Sequence, residues 1–313
     1  MAEISASDIP RHGWVDRFMP DGLAPYARLA RLDRPIGTWL LLFPCWWGTA
    51  MAWAADPALP VGTGLALACL FGLGALVMRG AGCTFNDIVD RDFDGRVART
   101  ADRPIPSGAV SVPQAVAFLA GLLLLGAAVL FSLNTAAILV GLASLPLVFV
   151  YPFAKRFTYW PQLFLGLTFN WGALVGWTAM SGSLGWPAVV LYVAGIAWTL
   201  GYDTIYAHQD KEDDALIGVK SSALLLGDRT RPWLAGFYVA TILLLALAGI
   251  LAGLPTWIAV ALLAPAAQLW WQVRDVKLDR PADCLTKFRS NRYFGWLVLA
   301  TIIAFGVLSR TGA

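Results

Sequence analysis

Asp90 and Asp94 stand four residues apart, and so do Asp210 and Asp214. Positions i and i+4 share one face of a helix, so each pair predicts two carboxylates side by side. Asn86 extends the first stripe by a turn, and Tyr206, with Asp203 one step beyond it, extends the second. Like charges at this spacing destabilise a helix. An ionised carboxylate at the centre of a bilayer costs about 2.5–3.5 kcal/mol on insertion scales. A divalent cation removes both penalties. Mg²⁺ takes oxygen ligands and commonly combines one or two carboxylates with the phosphate oxygens of a substrate. Two such stripes facing one another could hold Mg²⁺ ions bridged by a diphosphate.

Basic residues accompany the acids. Arg91, Arg96, Arg99 and Arg103 follow the first cluster, Lys211 and Lys220 lie in the second, and Lys155 with Arg156 forms a third basic point. Guanidinium groups suit phosphate oxygens. Asp90-Arg91-Asp92-Phe93-Asp94-Gly95 has the opening of a Ca²⁺ loop, but Ala101 stands where the bidentate glutamate is required. With His12 and His208 as the only histidines, a histidine-built zinc or haem site is not expected. Cys45, Cys69, Cys83 and Cys284 form no C-x-x-C pair and read as small buried apolar residues.

The elements that carry these residues are membrane helices. The chain of 313 residues is 58% hydrophobic and only 14% charged, against about a quarter charged for soluble domains. Its mean hydropathy is +0.65. A spanning helix needs roughly 20 apolar residues. Nine segments qualify, about 38–55, 63–84, 110–131, 134–152, 160–181, 187–208, 233–252, 255–273 and 293–309. Gly72, Gly74, Gly166, Gly172 and Gly176 fall in these spans and predict close helix approach. Residues 1–37 form a polar lead-in without the apolar core of a secretory signal, and 38–313 form the membrane domain. With this topology every Lys and Arg except Arg310 falls on one side, counting Arg79 near the end of the second span. The positive-inside rule makes that side cytoplasmic. The expectation is a multi-pass protein of the bacterial inner membrane, with its N-terminus and active site on the cytoplasmic side. Ion transport is the competing reading, but the acids sit at one face rather than near the midplane, where transporter sites lie.

At these residues the sequence resembles the UbiA family of intramembrane aromatic prenyltransferases, and is most similar to the branch that prenylates 4-hydroxybenzoate. The family's first motif, N-D-x-x-D-x-x-x-D, is met from Asn86 to Asp94. The second, Y-D-x-x-Y-A-x-x-D-x-x-D-D, is met by Tyr202, Asp203, Tyr206, Ala207, Asp210, Asp213 and Asp214. The flanks RLDRPIGTWLLLFPCWWG, RTADRPIPSG, YPFAKRFTYWPQ and GVKSSALLLG are similar too.

The resemblance implies an all-α polytopic membrane fold, with about nine transmembrane helices around a central cavity. It implies a Mg²⁺-dependent transfer of a polyprenyl group from its diphosphate to the ring carbon ortho to the hydroxyl of 4-hydroxybenzoate, a step of ubiquinone biosynthesis. A sibling enzyme with another aromatic acceptor is the alternative. Asp90, Asp94, Asp210 and Asp214 are the implied metal-site carboxylates, and Asp203 joins them as a catalytic candidate. Asn86, Arg99, Arg103, Lys155, Tyr206 and Lys220 are the implied substrate-binding residues. Arg34 and Arg156 are the candidates for the acceptor's carboxylate, whereas Arg31, in the same RLDRPIG segment, reads as a membrane-interface anchor. The expected partners are the two substrates and membrane lipid, with no nucleic acid and no protein partner inferable.

Overall fold

The computed structural model describes residues 9, 13–95 and 100–311, and all regular structure among them is helical. Two short helices, Trp14–Phe18 and Ala24–Leu29, precede the long ones. Seven helices are long and apolar enough to cross a membrane: Val61–Asp94, Val112–Phe131, Thr135–Phe157, Pro161–Ser181, Trp186–Ala207, Ser222–Leu251 and Pro281–Thr311. Large apolar side chains such as Leu124, Leu139 and Leu243 are exposed on them, as lipid-facing positions require.

Among the described residues the count of nine is not confirmed, and two of the expected segments stand outside these seven. Ile36–Ala55 has 20 residues and no charged side chain, enough length for a span. The stretch 255–273 is divided. Ile258–Ala261 is a single turn, and Leu263–Asp275 has 13 residues and carries Gln268, Gln272 and Arg274.

The chain forms two compact units, residues 1–38 with 72–132, and residues 39–71 with 133–313. In the first unit, Leu29, Ile105, Val110 and Ala115 make an apolar cluster against Tyr26, Ile88 and Phe118. It ties the lead-in to the first-motif helix and to the turn after it. In the second unit, Trp47, Trp198 and Phe294 form an aromatic core, with Trp198 at 5.1 Å from both partners, centroid to centroid. Close backbone approach helps build this unit. A β-carbon on Gly176 would overlap the Cys45 carbonyl, and one on Gly48 the Ala173 carbonyl. Gly72, expected to serve the same purpose, faces open space.

Candidate active site

The first motif rides on one unbroken helix. Val61–Asp94 has 34 residues, about 51 Å at 1.5 Å per residue, against about 30 Å of hydrocarbon. The excess carries Asn86 to Asp94 past the apolar stretch without a break. Asp87 and Asp90 are each 1% exposed and Asp94 is 9% exposed, while Asn86 is half-buried.

Two arginines serve these acids. Arg31 donates to Asp87 Oδ1 at 2.7 Å. Arg103 lies 3.3 Å from the same oxygen and donates to Asp94 Oδ2 at 2.9 Å. Arg103 therefore lies beside the first-motif carboxylates. Arg31 is the residue that sequence reasoning undervalued. Its backbone has φ 58°, a left-handed conformation unusual for a non-glycine residue. It closes the helix Ala24–Leu29, where Leu32 N–H returns to the Ala27 carbonyl. Arg34 donates from Nε to its neighbour Asp33 at 3.1 Å. Arg79, inside the first-motif helix, packs its guanidinium against Gly37, where a β-carbon would clash. Arg99 lies outside the described residues.

The second motif is not one continuous stripe. The helix Trp186–Ala207 ends after Asp203 and Tyr206, residues 208–210 turn, and a new helix runs Lys211–Ile217. Asp210 is the N-cap of that helix, and its carbonyl accepts from Asp214 N–H at 2.7 Å. The acids Glu212 and Asp214 then sit in its first turn, where the helix dipole favours them. Asp203, Asp210 and Asp214 are all half-buried.

A set of buried hydrogen bonds holds this segment. Thr204 and Ser222 share one at 2.7 Å, and Ser222 N–H donates to Gln162 at 3.2 Å. Lys220 N–H donates to the Lys155 carbonyl at 3.0 Å, and its ammonium lies 5.4 Å from the Tyr159 ring centroid. Lys155, Arg156 and Lys220, the expected substrate-binding cations of this unit, thus come from segments laced together, with Arg156 exposed. Buried His208 has a structural role. Thr230 gives its hydroxyl proton to the Gly227 carbonyl at 2.7 Å, so His208 Nε2, at 3.1 Å, is the donor to Thr230. Burial, reinforced by the Lys211 charge, lowers the His208 pKa to about 4.

Among the described residues no three His, Cys, Asp or Glu side chains close around one point. The donors present are carboxylate oxygens, and Asp87 Oδ2 is buried without a hydrogen-bond partner among the described residues. Hard oxygen donors in ones and twos fit Mg²⁺, which completes its shell with water and phosphate rather than a protein cage.

The UbiA prenyltransferase family model matches residues 41–305. The chain belongs to this family. Among curated relatives of this UbiA chain, the mitochondrial 4-hydroxybenzoate polyprenyltransferase of Arabidopsis thaliana is 52% identical over 93% of the chain and 70% of that protein. Those of Mus musculus and Homo sapiens are 54% and 51% identical, each over 91% of the chain, and over 75% and 76% of those proteins. A UbiA homolog from Aeropyrum pernix K1 superposes with a TM-score of 0.69 at 27% identity, covering 84% of this chain and 97% of that one. A UbiA homolog from Archaeoglobus fulgidus, solved bound to GPP and Mg²⁺, gives 0.66 at 20% identity, covering 92% and 99%. These relatives support a multi-pass membrane fold and correct one expectation. The curated enzymes are mitochondrial, which points away from a bacterial inner membrane, and the cytoplasmic placement falls with it. Charge segregation orients a chain across a membrane but does not identify which membrane it is.

Proposed function

We propose that this chain transfers a polyprenyl group from a polyprenyl diphosphate to 4-hydroxybenzoate, at the ring carbon ortho to the hydroxyl. The observation that carries this reading is 52% identity to a 4-hydroxybenzoate polyprenyltransferase over 93% of the chain. Both aspartate motifs are present in full.

Asp90, Asp94, Asp210 and Asp214 would hold Mg²⁺, which supplies Lewis-acid charge to the departing diphosphate. Arg103, Lys155 and Lys220, with Arg99, bind the diphosphate oxygens, and Asn86 supports the first-motif carboxylates. The allylic C–O bond breaks, and its electron pair leaves with the diphosphate. The ring carbon of the acceptor forms the new C–C bond and then gives up its proton, which restores aromaticity. Asp203 orients the phenol or receives its proton. Tyr206 presents its ring to the reacting carbon, since an aromatic face stabilises a nearby cation. Arg34 and Arg156 are the candidates for the acceptor's carboxylate. Water must be excluded from the allyl cation, and a membrane site achieves this. In the second unit an apolar cavity of about 340 Å³, lined by Trp46, Ala50, Trp53, Leu65, Trp296 and Ile303, has the chemistry to take part of the isoprenoid chain.

An acceptor panel tests the assignment. Purified protein is given one polyprenyl diphosphate with 4-hydroxybenzoate, homogentisate or a dihydroxynaphthoate. Product is expected with 4-hydroxybenzoate, and preference for another acceptor would overturn it.

A further inference from the structure

Tyr206 is the second-motif aromatic that stands between Asp203 and Asp210, yet little holds it. Its side chain is half-buried, and among the described residues its hydroxyl makes no hydrogen bond. One ring contacts it there, that of Phe288, at 4.4 Å between centroids and tilted by 42°. Phe288 also meets the buried Tyr202 at 5.7 Å and 61°. Phe288 belongs to neither motif. It sits near the start of the C-terminal helix Pro281–Thr311.

The helix is fixed on both sides of Phe288. One residue before it, the buried Lys287 pairs with Asp275, lies 3.6 Å from Asp283 and stacks 4.0 Å from the Trp271 ring centroid. Three residues after it, the fully buried Asn291 accepts from Trp198 Nε1 at 2.8 Å and from Gln272 Nε2 at 3.2 Å. Asn291 Nδ2 donates to Gln272 Oε1 at 3.3 Å, and that oxygen also accepts from the Tyr238 hydroxyl at 2.9 Å. Buried networks whose members are satisfied specify one arrangement of the helices that share them. This one holds the Phe288 backbone against the helix Leu263–Asp275 and, through Trp198, against the second-motif helix.

We propose that Phe288 is a positioning residue for prenyl transfer: its ring, fixed in place by the Lys287 and Asn291 anchors, sets the orientation of Tyr206 beside the second-motif carboxylates. The role rests on the prenyl-transfer function proposed above. An aromatic pair of this kind corresponds to about a two- to tenfold effect in an equilibrium or rate.

The test combines kinetics with a probe that does not depend on turnover. Phe288→Ala, Phe288→Leu and Phe288→Tyr are compared with Tyr206→Ala and with the double variant Tyr206→Ala/Phe288→Ala. Phe288→Leu keeps apolar bulk and guards against a folding failure in the alanine variant. In parallel, 3-fluorotyrosine is incorporated at position 206 and its ¹⁹F resonance is recorded in wild type and in Phe288→Leu. Expected are a loss of up to about tenfold in kcat in both Phe288→Ala and Phe288→Leu, recovery in Phe288→Tyr, and a double variant no slower than Tyr206→Ala alone. The ¹⁹F resonance shifts in Phe288→Leu. Additive losses in the double variant, or an unmoved resonance, overturn the proposal. If wild type fails to prenylate 4-hydroxybenzoate, the functional reading fails, and the ¹⁹F measurement still decides whether Phe288 sets the Tyr206 ring.

Discussion

Arg31 Nη2 donates to Asp87 Oδ1 at 2.7 Å, joining residues 56 positions apart, with the two side chains 8% and 1% exposed. Breaking a buried pair by removing one partner is costly, because the other charge is left behind. Arg31→Ala is expected to lose about 3 kcal/mol, the low end of the range for such pairs, because Arg103 stays near the same oxygen. Arg31→Gly removes the same charge but accommodates φ 58° without strain, so it should be more stable than Arg31→Ala by about 0.5–1 kcal/mol. Thermal unfolding in detergent measures both. Equal stability of the two variants would remove the backbone part of this account.

Asp275 gives a pH prediction. Its hydrogen bond from Lys287, together with the ammonium's charge, lowers its pKa from the ordinary 3.8. The unfolded chain takes up a proton at the ordinary value, and the native chain only at lower pH. The stabilisation is therefore complete above the ordinary value and is lost as pH falls through the lowered native one. Wild type should unfold at a higher temperature than Asp275→Asn at pH 7, and the gap should close as pH is taken below 3.8. A gap independent of pH would contradict the ion pair.

The apolar cavity makes a chain-length prediction. Ala50 lines it, and Ala50→Phe fills part of it. Turnover with a long polyprenyl diphosphate should fall more than turnover with geranyl diphosphate, measured as the ratio of kcat/KM for the two donors. An unchanged ratio would place the isoprenoid chain elsewhere.

Much of this was legible in the sequence, and the exceptions have physical causes. Apolar runs located the spanning helices because lipid demands internally satisfied backbone. The i,i+4 spacing of Asp210 and Asp214 concealed the break at residues 208–210. The signal for it was present, as Asp210 followed by Lys211, Glu212 and Asp213 is an N-terminal helix signature. Arg31 resembled an interface anchor because its partner, Asp87, is distant in sequence. Phe288 carried no signal at all, because it belongs to neither motif, lies in the polar stretch before the predicted span 293–309, and meets a partner, Tyr206, that is distant in sequence.

The metal-site carboxylates carry the next prediction. Asp90→Asn and Asp210→Asn keep side-chain volume and remove charge. Each should lower turnover by more than about 100-fold, beyond the range for outer-shell partners, with an unfolding temperature close to wild type. Near-normal turnover in either variant would remove that aspartate from the metal site.

The most direct measurement uses the purified wild-type protein with 4-hydroxybenzoate and a polyprenyl diphosphate. Prenylated acceptor and released diphosphate are quantified with Mg²⁺ present, after EDTA, and after Mg²⁺ is restored. The account predicts equal amounts of the two products, loss of both with EDTA, and recovery of both with Mg²⁺. Product formation that persists in EDTA, or diphosphate release without prenylated acceptor, would contradict it.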